Sequence, residues 1–190
     1  MQRYLQKNYT KTQPKENTMK TIVAYRSKSG YTKRYAEWIS QELGCDIKED
    51  PELSDIIGYD TIIYGGGMYA GGFNGGKIIT KNLEKLSGKK IALFAVGSNP
   101  GRENEMKPFW DRILTAEQQK YIGYFYLRGG FDFDKLTAAD KILMKMLKAK
   151  LQKTKERTED EQGMLDAYDT PVDFTDKENI RPLIEFVLHS

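Results

Sequence analysis

Short apolar runs bounded by turn-forming residues recur along the chain at 21–25, 45–47, 61–64, 91–96 and 121–127, and helical patterns of apolar residues fill most of the intervals between them. Runs of this length, rich in Ile, Val, Tyr and Phe, read as buried strands. Their alternation with helices predicts a parallel sheet covered on both faces. Helices are expected at 32–43, 76–86, 103–114 and 177–188, the last opened by a capping box of Thr175 and Glu178. The expected fold class is α/β, a doubly wound five-stranded parallel sheet of order 2-1-3-4-5. One interval breaks the rhythm. Residues 128–170, between the fifth strand and the last helix, form an insertion with a helix of its own, capped by Thr137 with Asp140 three residues on.

Composition adds boundaries to this picture. A chain of 190 residues is one domain's worth and can bury a full core without metal or disulfide staples. Residues 1–18 are polar, basic and without periodicity, so a disordered extension is expected ahead of a domain spanning 19–190, with Met19 a natural start. The single cysteine, Cys45, has no internal partner, which fits a reducing compartment, and its place in the second apolar run assigns it to the core. The lone histidine, His189, lies at the chain end and is a poor catalytic candidate. One Cys and one His build neither a transition-metal site nor a hydrolytic triad, so no metal is expected. No apolar stretch approaches the roughly 20 residues that span a bilayer, and no signal-peptide segment is present, so a cytoplasmic location is expected.

The first strand runs into Ser27-Lys28-Ser29-Gly30-Tyr31-Thr32 and then into a helix. Ser27, Ser29 and Thr32 supply three hydroxyls, Gly30 tolerates a left-handed backbone, and the helix start offers unpaired N–H groups and a positive dipole end. That combination cradles a phosphate. A Ser- or Thr-capped turn without a ligand uses the same residue types. The run resembles the phosphate loop of flavodoxins, Ser/Thr-x-Ser/Thr-Gly-x-Thr, and the resemblance implies a flavodoxin-like fold with FMN as cofactor.

In such sheets ligands collect beyond the carboxyl ends of the strands, near the switch point between the first and third strands. Two further loops are then of interest. The first, after the third strand, begins Gly65-Gly66-Gly67-Met68-Tyr69 and continues through four more glycines to Gly76. By the resemblance, it packs against the flavin ring, Gly66 and Gly67 supplying the peptide beside N5 and Tyr69 stacking on the ring. The second, Gly97-Ser98-Asn99, would meet the pyrimidine edge of the ring, although Asn, Pro and Gly are also ordinary turn formers. The glycine loop contains Gly71-x-x-x-x-Gly76-Lys77, most of a nucleotide-binding P-loop, but Ile78 stands where a Ser or Thr must hold magnesium. With few acid-base groups and a phosphate cradle, chemistry carried by a cofactor is the expectation, and no catalytic side chain is assigned.

Net charge is +3, and residues 134–157 alone carry +5. On the inserted helix at 138–153, Ala139, Ile142, Leu143, Met146 and Leu147 share one face and Lys141, Lys145 and Lys148 lie opposite. Such a helix either packs on the domain with a solvated lysine face or meets an anionic membrane or acidic protein. No nucleic-acid-binding motif accompanies the charge. The insertion, with Leu127-Arg128-Gly129-Gly130, Asp140-Lys141 and a Met-rich basic helix, is similar to that of the bacterial flavodoxin-type protoporphyrinogen oxidases. That family has a Tyr at the position of Tyr69, an Asp-Arg pair at Asp140-Lys141, and often a basic residue at Met68. The resemblance implies an oxidoreductase passing electrons from a small-molecule donor, a porphyrinogen in that family, to a quinone at the membrane. The alternative is a non-enzymatic electron carrier or interaction module, for which the basic charge is unusual.

Overall fold

The computed structural model describes residues 19–69 and 71–189; the extension expected at 1–18 lies outside the described residues. Five parallel strands form the sheet: β1 (Thr21–Arg26), β2 (Asp46–Glu49), β3 (Thr61–Tyr69), then, past the short β4 (Gly72–Phe73), β5 (Lys90–Gly97) and β6 (Ile122–Arg128). Their order is β2-β1-β3-β5-β6, the expected 2-1-3-4-5, with β4 added antiparallel to the end of β3.

The residue pattern explains the layers. Successive side chains of a strand point to opposite faces, and here both faces are apolar. Ile22, Ala24, Ile62, Tyr64, Leu93 and Ala95 face one core, closed by Met106, Phe109 and Trp110 of α4 (Glu103–Ile113), with the one-turn helices α2 (Leu53–Ile56) and α3 (Lys77–Thr80) on the same side. Val23, Tyr25, Ile63, Ala92, Phe94 and Val96 face the other, closed by α1 (Tyr31–Leu43) and α7 (Arg181–Leu188). Within the insertion lie α5 (Ala138–Lys153) and α6 (Glu159–Asp166), and its two ends meet as a small antiparallel ladder of β7 (Gly130–Phe131) and β8 (Val172–Asp173).

Some expected elements differ. The helix expected at 76–86 is a single turn, because the Asn82 side chain donates to the Ile78 carbonyl at 2.9 Å and competes with helix propagation. The last helix is opened by Asp176, not Thr175. The Asp176 carboxylate accepts from the Glu178 N–H and starts a 3₁₀ turn over Lys177–Ile180, and α7 follows with Pro182 in its first turn. Thr175 instead donates to Asp173 at 2.7 Å. The second strand begins after Cys45 and is an exposed edge whose Asp46, Lys48 and Glu49 deter further pairing. Cys45 packs half-buried against the second core, and burial pushes its thiol up to about 11, so it stays protonated.

Tyr35 ties α1 to both chain segments that flank the insertion. Its ring is fully buried, and its hydroxyl donates to the Arg128 carbonyl at 2.6 Å and accepts from the Asp176 N–H at 3.2 Å. Tyr35→Phe strands two backbone groups at no gain in packing. A loss of about 1–3 kcal/mol in urea unfolding is expected.

Candidate functional site

The carboxyl ends of β1, β3 and β5 surround a cavity of ≈240 Å³. Ser29 and Thr32 line it from the turn after β1, Met68 and Tyr69 from the end of β3, and Gly97 and Ser98 from the end of β5. The three expected loops therefore converge. Across Phe131, Leu147 and Met164 it adjoins a second cleft of ≈630 Å³ that runs along α6.

The turn after β1 is built by its own polar groups. Ser27 Oγ accepts from the Gly30 N–H at 3.1 Å, and Gly30 adopts φ +90°, a left-handed value that a residue with a Cβ rarely holds. This turns the first residues of α1 toward the cavity. Thr32 is 3 % exposed and lines the cavity, and Tyr31 is buried with its hydroxyl donating to the Val172 carbonyl at 3.3 Å. Lys28 lies across the turn: its ammonium reaches Asp140 of α5 at 2.8 and 3.1 Å and stands 4.5 Å from the centre of the Tyr69 ring.

Gly65, Gly66 and Gly67 are strand, not loop, paired in register with β1 or β5. Their lack of a side chain serves packing. A Cβ on Gly65 would lie 2.0 Å from the Phe94 ring, one on Gly66 2.4 Å from the Asn74 carbonyl, and one on Gly67 2.5 Å from the Tyr69 ring. Tyr69 thus folds over Gly67. Burial pushes its hydroxyl pKa up, against the opposing pull of the Ser29 side chain and Lys28.

The loop after β5 is only partly directed at the cavity. The Gly97 carbonyl accepts from the Gly129 N–H at 2.7 Å, and Ser98 lines both cavities. Asn99 turns its amide N–H to Glu105 at 3.1 Å, and the Tyr126 hydroxyl lies 2.6 Å from its amide oxygen. Asn99 therefore borders the larger cleft.

The roof of the cavity comes from α5, and of the two orientations open to this helix its expected apolar face mostly takes the outward one. Ile142, Leu143 and Met146 are 64 %, 48 % and 67 % exposed, while Asp140, Met144, Leu147, Lys148 and Leu151 turn inward. Specific contacts pull that face in. Asp140 meets Lys28, the Tyr168 hydroxyl donates to the Met144 carbonyl at 2.6 Å, and Lys148 stands over the Tyr168 ring and pairs with Asp169. Met144, Leu147 and Met164 thereby join the site, which residue types alone did not indicate.

The Asp140 carboxyl is held below its ordinary value, first by the Lys28 ammonium and then by the Thr137 hydroxyl, which donates at 2.7 Å. A carboxyl lowered by folding stabilises above its unfolded value, and the contribution is lost as pH falls through the lowered value. The pair is partly solvated, with side-chain exposures of 34 % and 17 %, so about 0.2–1 kcal/mol is the scale. Asp140→Asn is expected to speed hydrogen exchange in the first turns of α5 up to about fivefold at neutral pH. The variant should also lose this site's share of the acid sensitivity below the ordinary carboxylate range.

Among the described residues no helix is long and apolar enough to cross a membrane, and no cluster of His, Cys, Asp and Glu is placed to hold a metal. The cavity presents the Ser29 and Thr32 side chains on one wall and the apolar side chains of Met144, Leu147 and Met164 on another. Its titratable side chains are Tyr31, Asp132, Asp140 and Tyr69.

A family model for the flavodoxin domain matches residues 22–159. No curated protein matches the chain. Similar solved structures include oxidised flavodoxin 1 from Bacillus cereus, with 18% identity, 90% of this chain and 99% of that one covered and a TM-score of 0.42. A flavoprotein from Lactobacillus acidophilus NCFM in complex with FMN shares 17% identity over 58% of this chain and 92% of its own, with a TM-score of 0.36. The Trp repressor binding protein of Bacillus subtilis shares 15% over 60% and 89%, with a TM-score of 0.45. With the domain model matched over most of its length, the chain belongs to the flavodoxin domain family.

Proposed function

We propose that the protein is an FMN-dependent oxidoreductase that passes electrons from a small-molecule donor to a quinone-like acceptor. The observation that carries this reading is the convergence of Ser29 and Thr32, Met68 and Tyr69, and Gly97 and Ser98 on one cavity beneath α5. The chain's residues fit the cofactor. The hydroxyls of Ser29 and Thr32 and the first N–H groups of α1 would hold the phosphate, because a helix start and its flanking hydroxyls favour an anion. Tyr69, Met68 and Ser98 would border the ring. The cavity alone is below the roughly 300 Å³ of ordinary ligand sites, and the adjoining cleft supplies the rest. FMN, when bound, supplies the redox chemistry. The protein's part is to hold the phosphate, to position Asp140 through Lys28 and Thr137, and to exclude water with Met144, Leu147 and Met164.

The insertion supports the choice of partners. Its similarity to that of flavodoxin-type protoporphyrinogen oxidases favours a porphyrinogen-like donor and a lipid-soluble acceptor. The outward stripe of Ala139, Ile142, Leu143, Met146 and Ala149, with exposed Lys145, Lys150 and Lys153 nearby, matches an anionic bilayer surface in both polarity and charge. Leu143 also lines the cavity, so that surface adjoins the site.

The visible spectrum of the purified protein, before and after FMN and then dithionite, tests the cofactor: a bound flavin that bleaches on reduction is expected, and added FMN that stays free would overturn the reading. Turnover with a soluble quinone then separates an enzyme from an electron carrier, which should show little specific turnover without its reductase. Ile142→Glu with Met146→Glu should abolish sedimentation with vesicles containing anionic phospholipid. Wild-type protein that never sediments with them would remove the membrane from the proposal.

A further inference from the structure

A third cleft, of ≈780 Å³, opens beside β4 and α3, and Tyr69 lines it as well as the cavity under α5. Gly72 to Lys77, most of the Gly71-x-x-x-x-Gly76-Lys77 run that resembles a P-loop, line it. The fold does not use that run as one, since it closes the β3–β4 hairpin and leads into a single helical turn. What it contributes is Lys77, in a distinctive setting.

Four cations line the cleft, Arg26, Lys28, Lys77 and Arg112, and no acidic residue does. Two are compensated from outside the lining, Arg26 by Asp50 at 2.9 Å and Lys28 by Asp140 at 2.8 Å. Lys77 has no ion-pair partner among the described residues, and the one bond of Arg112 is a long one, Nη2 donating to the Gly71 carbonyl at 3.4 Å. Two positive charges are left facing a concave surface, where low-dielectric walls concentrate their field. Those walls include Tyr64, Phe73, Ile78 and Ile113. Burial pushes the Tyr64 hydroxyl up to about 12, so it stays neutral and donates to the Asn74 carbonyl.

Apolar and aromatic walls with a few convergent charges are the usual make-up of a small-molecule site. We infer that this cleft binds an aromatic anion, a ring system bearing a phosphate or carboxylate group. The ring packs against the partly exposed Phe73, Ile78 and Ile113 and the anionic group meets Lys77 and Arg112, whose guanidinium suits either oxyanion. The inference does not depend on FMN binding. Because Tyr69 borders both cavities, an occupant here sits next to the flavodoxin site without occupying it.

Calorimetric titration with 1-naphthyl phosphate and with 1-naphthoate at low salt, in the presence and absence of FMN, tests it. Saturable binding of at least one probe is expected, with neutral 1-naphthol much weaker. The preferred probe identifies the oxyanion. Lys77→Gln with Arg112→Gln should weaken that probe by about tenfold or more, as loss of charge-assisted bonds does. Both side chains are exposed, so the fold should survive, and an unchanged melting curve checks this. Unchanged affinity in the double variant, naphthol binding as tightly as the anions, or displacement of the probe by FMN would overturn the proposal. Failure to bind FMN at all would leave this site standing and remove only the flavin reading.

Discussion

Replacing Ser29 and Thr32 together by alanine is expected to weaken FMN binding by about 10²–10⁴-fold, since each hydroxyl would donate to a charged phosphate and such bonds contribute about 1.5–3 kcal/mol apiece. The two residues reach the same cavity from opposite sides of the first turn of α1, Ser29 ahead of Gly30 and Thr32 within the helix. Fluorescence titration reads the loss directly, because free and bound flavin differ in quantum yield. Thr32 is almost wholly buried, so its truncation also carries a packing cost, and the Thr32→Ser single variant separates the two effects. Serine keeps the hydroxyl and should retain most of the affinity. An affinity unchanged in the double variant would remove the phosphate assignment.

The second large effect concerns Gly65. The Phe94 ring is fully buried in the cell of β3 and β5, and a Cβ at Gly65 would stand 2.0 Å from its tip and 2.4 and 2.5 Å from the two adjoining ring carbons. Gly65→Ala should therefore destabilise the domain by at least about 1–3 kcal/mol, the ordinary cost of overpacking a core. The same contact dictates the rescue. Phe94→Leu removes the ring atoms in conflict, so the double variant should be more stable than additivity of the two single losses allows. Urea unfolding of the four proteins closes the cycle. Strict additivity would mean that the backbone, not the ring, yields to the new methyl group.

These two predictions also mark what could and could not be read from residue order. The strand order was legible because apolar runs of three to seven residues, separated by helical periods, admit few other sheets, and both faces of β1, β3 and β5 are apolar as parallel strands require. The strand–turn–helix form of 21–43 was legible because Ser27 and Gly30 meet separate local demands, a hydroxyl that accepts from the turn's N–H and a residue free to take φ +90°. Gly65 to Gly67 were misread as loop because glycine marks both irregular backbone and close packing, and only the distant Phe94, Tyr69 and Asn74 decide between them. The orientation of α5 was hidden for a similar reason. Its sequence carries two apolar stripes, and the inward one is selected by Lys28, more than a hundred positions earlier, and by Tyr168, which comes after the helix. Asp176 displaced Thr175 as a cap because Thr175 was already held by Asp173 and Arg34.

The ladder of β7 and β8 has a consequence for the history of such a chain. Gly130 pairs with Asp173 and Phe131 with Val172 in a two-stranded ladder of their own, so the segment between β6 and the last helix begins and ends at points about 5 Å apart. An ancestor with a plain turn there could have gained the whole segment in one event, with no strand rerouted, and a descendant could shed it as simply. Grafting the segment between the equivalent positions of a short flavodoxin should transplant the lid and its outward face as a unit, leaving the recipient sheet as it was.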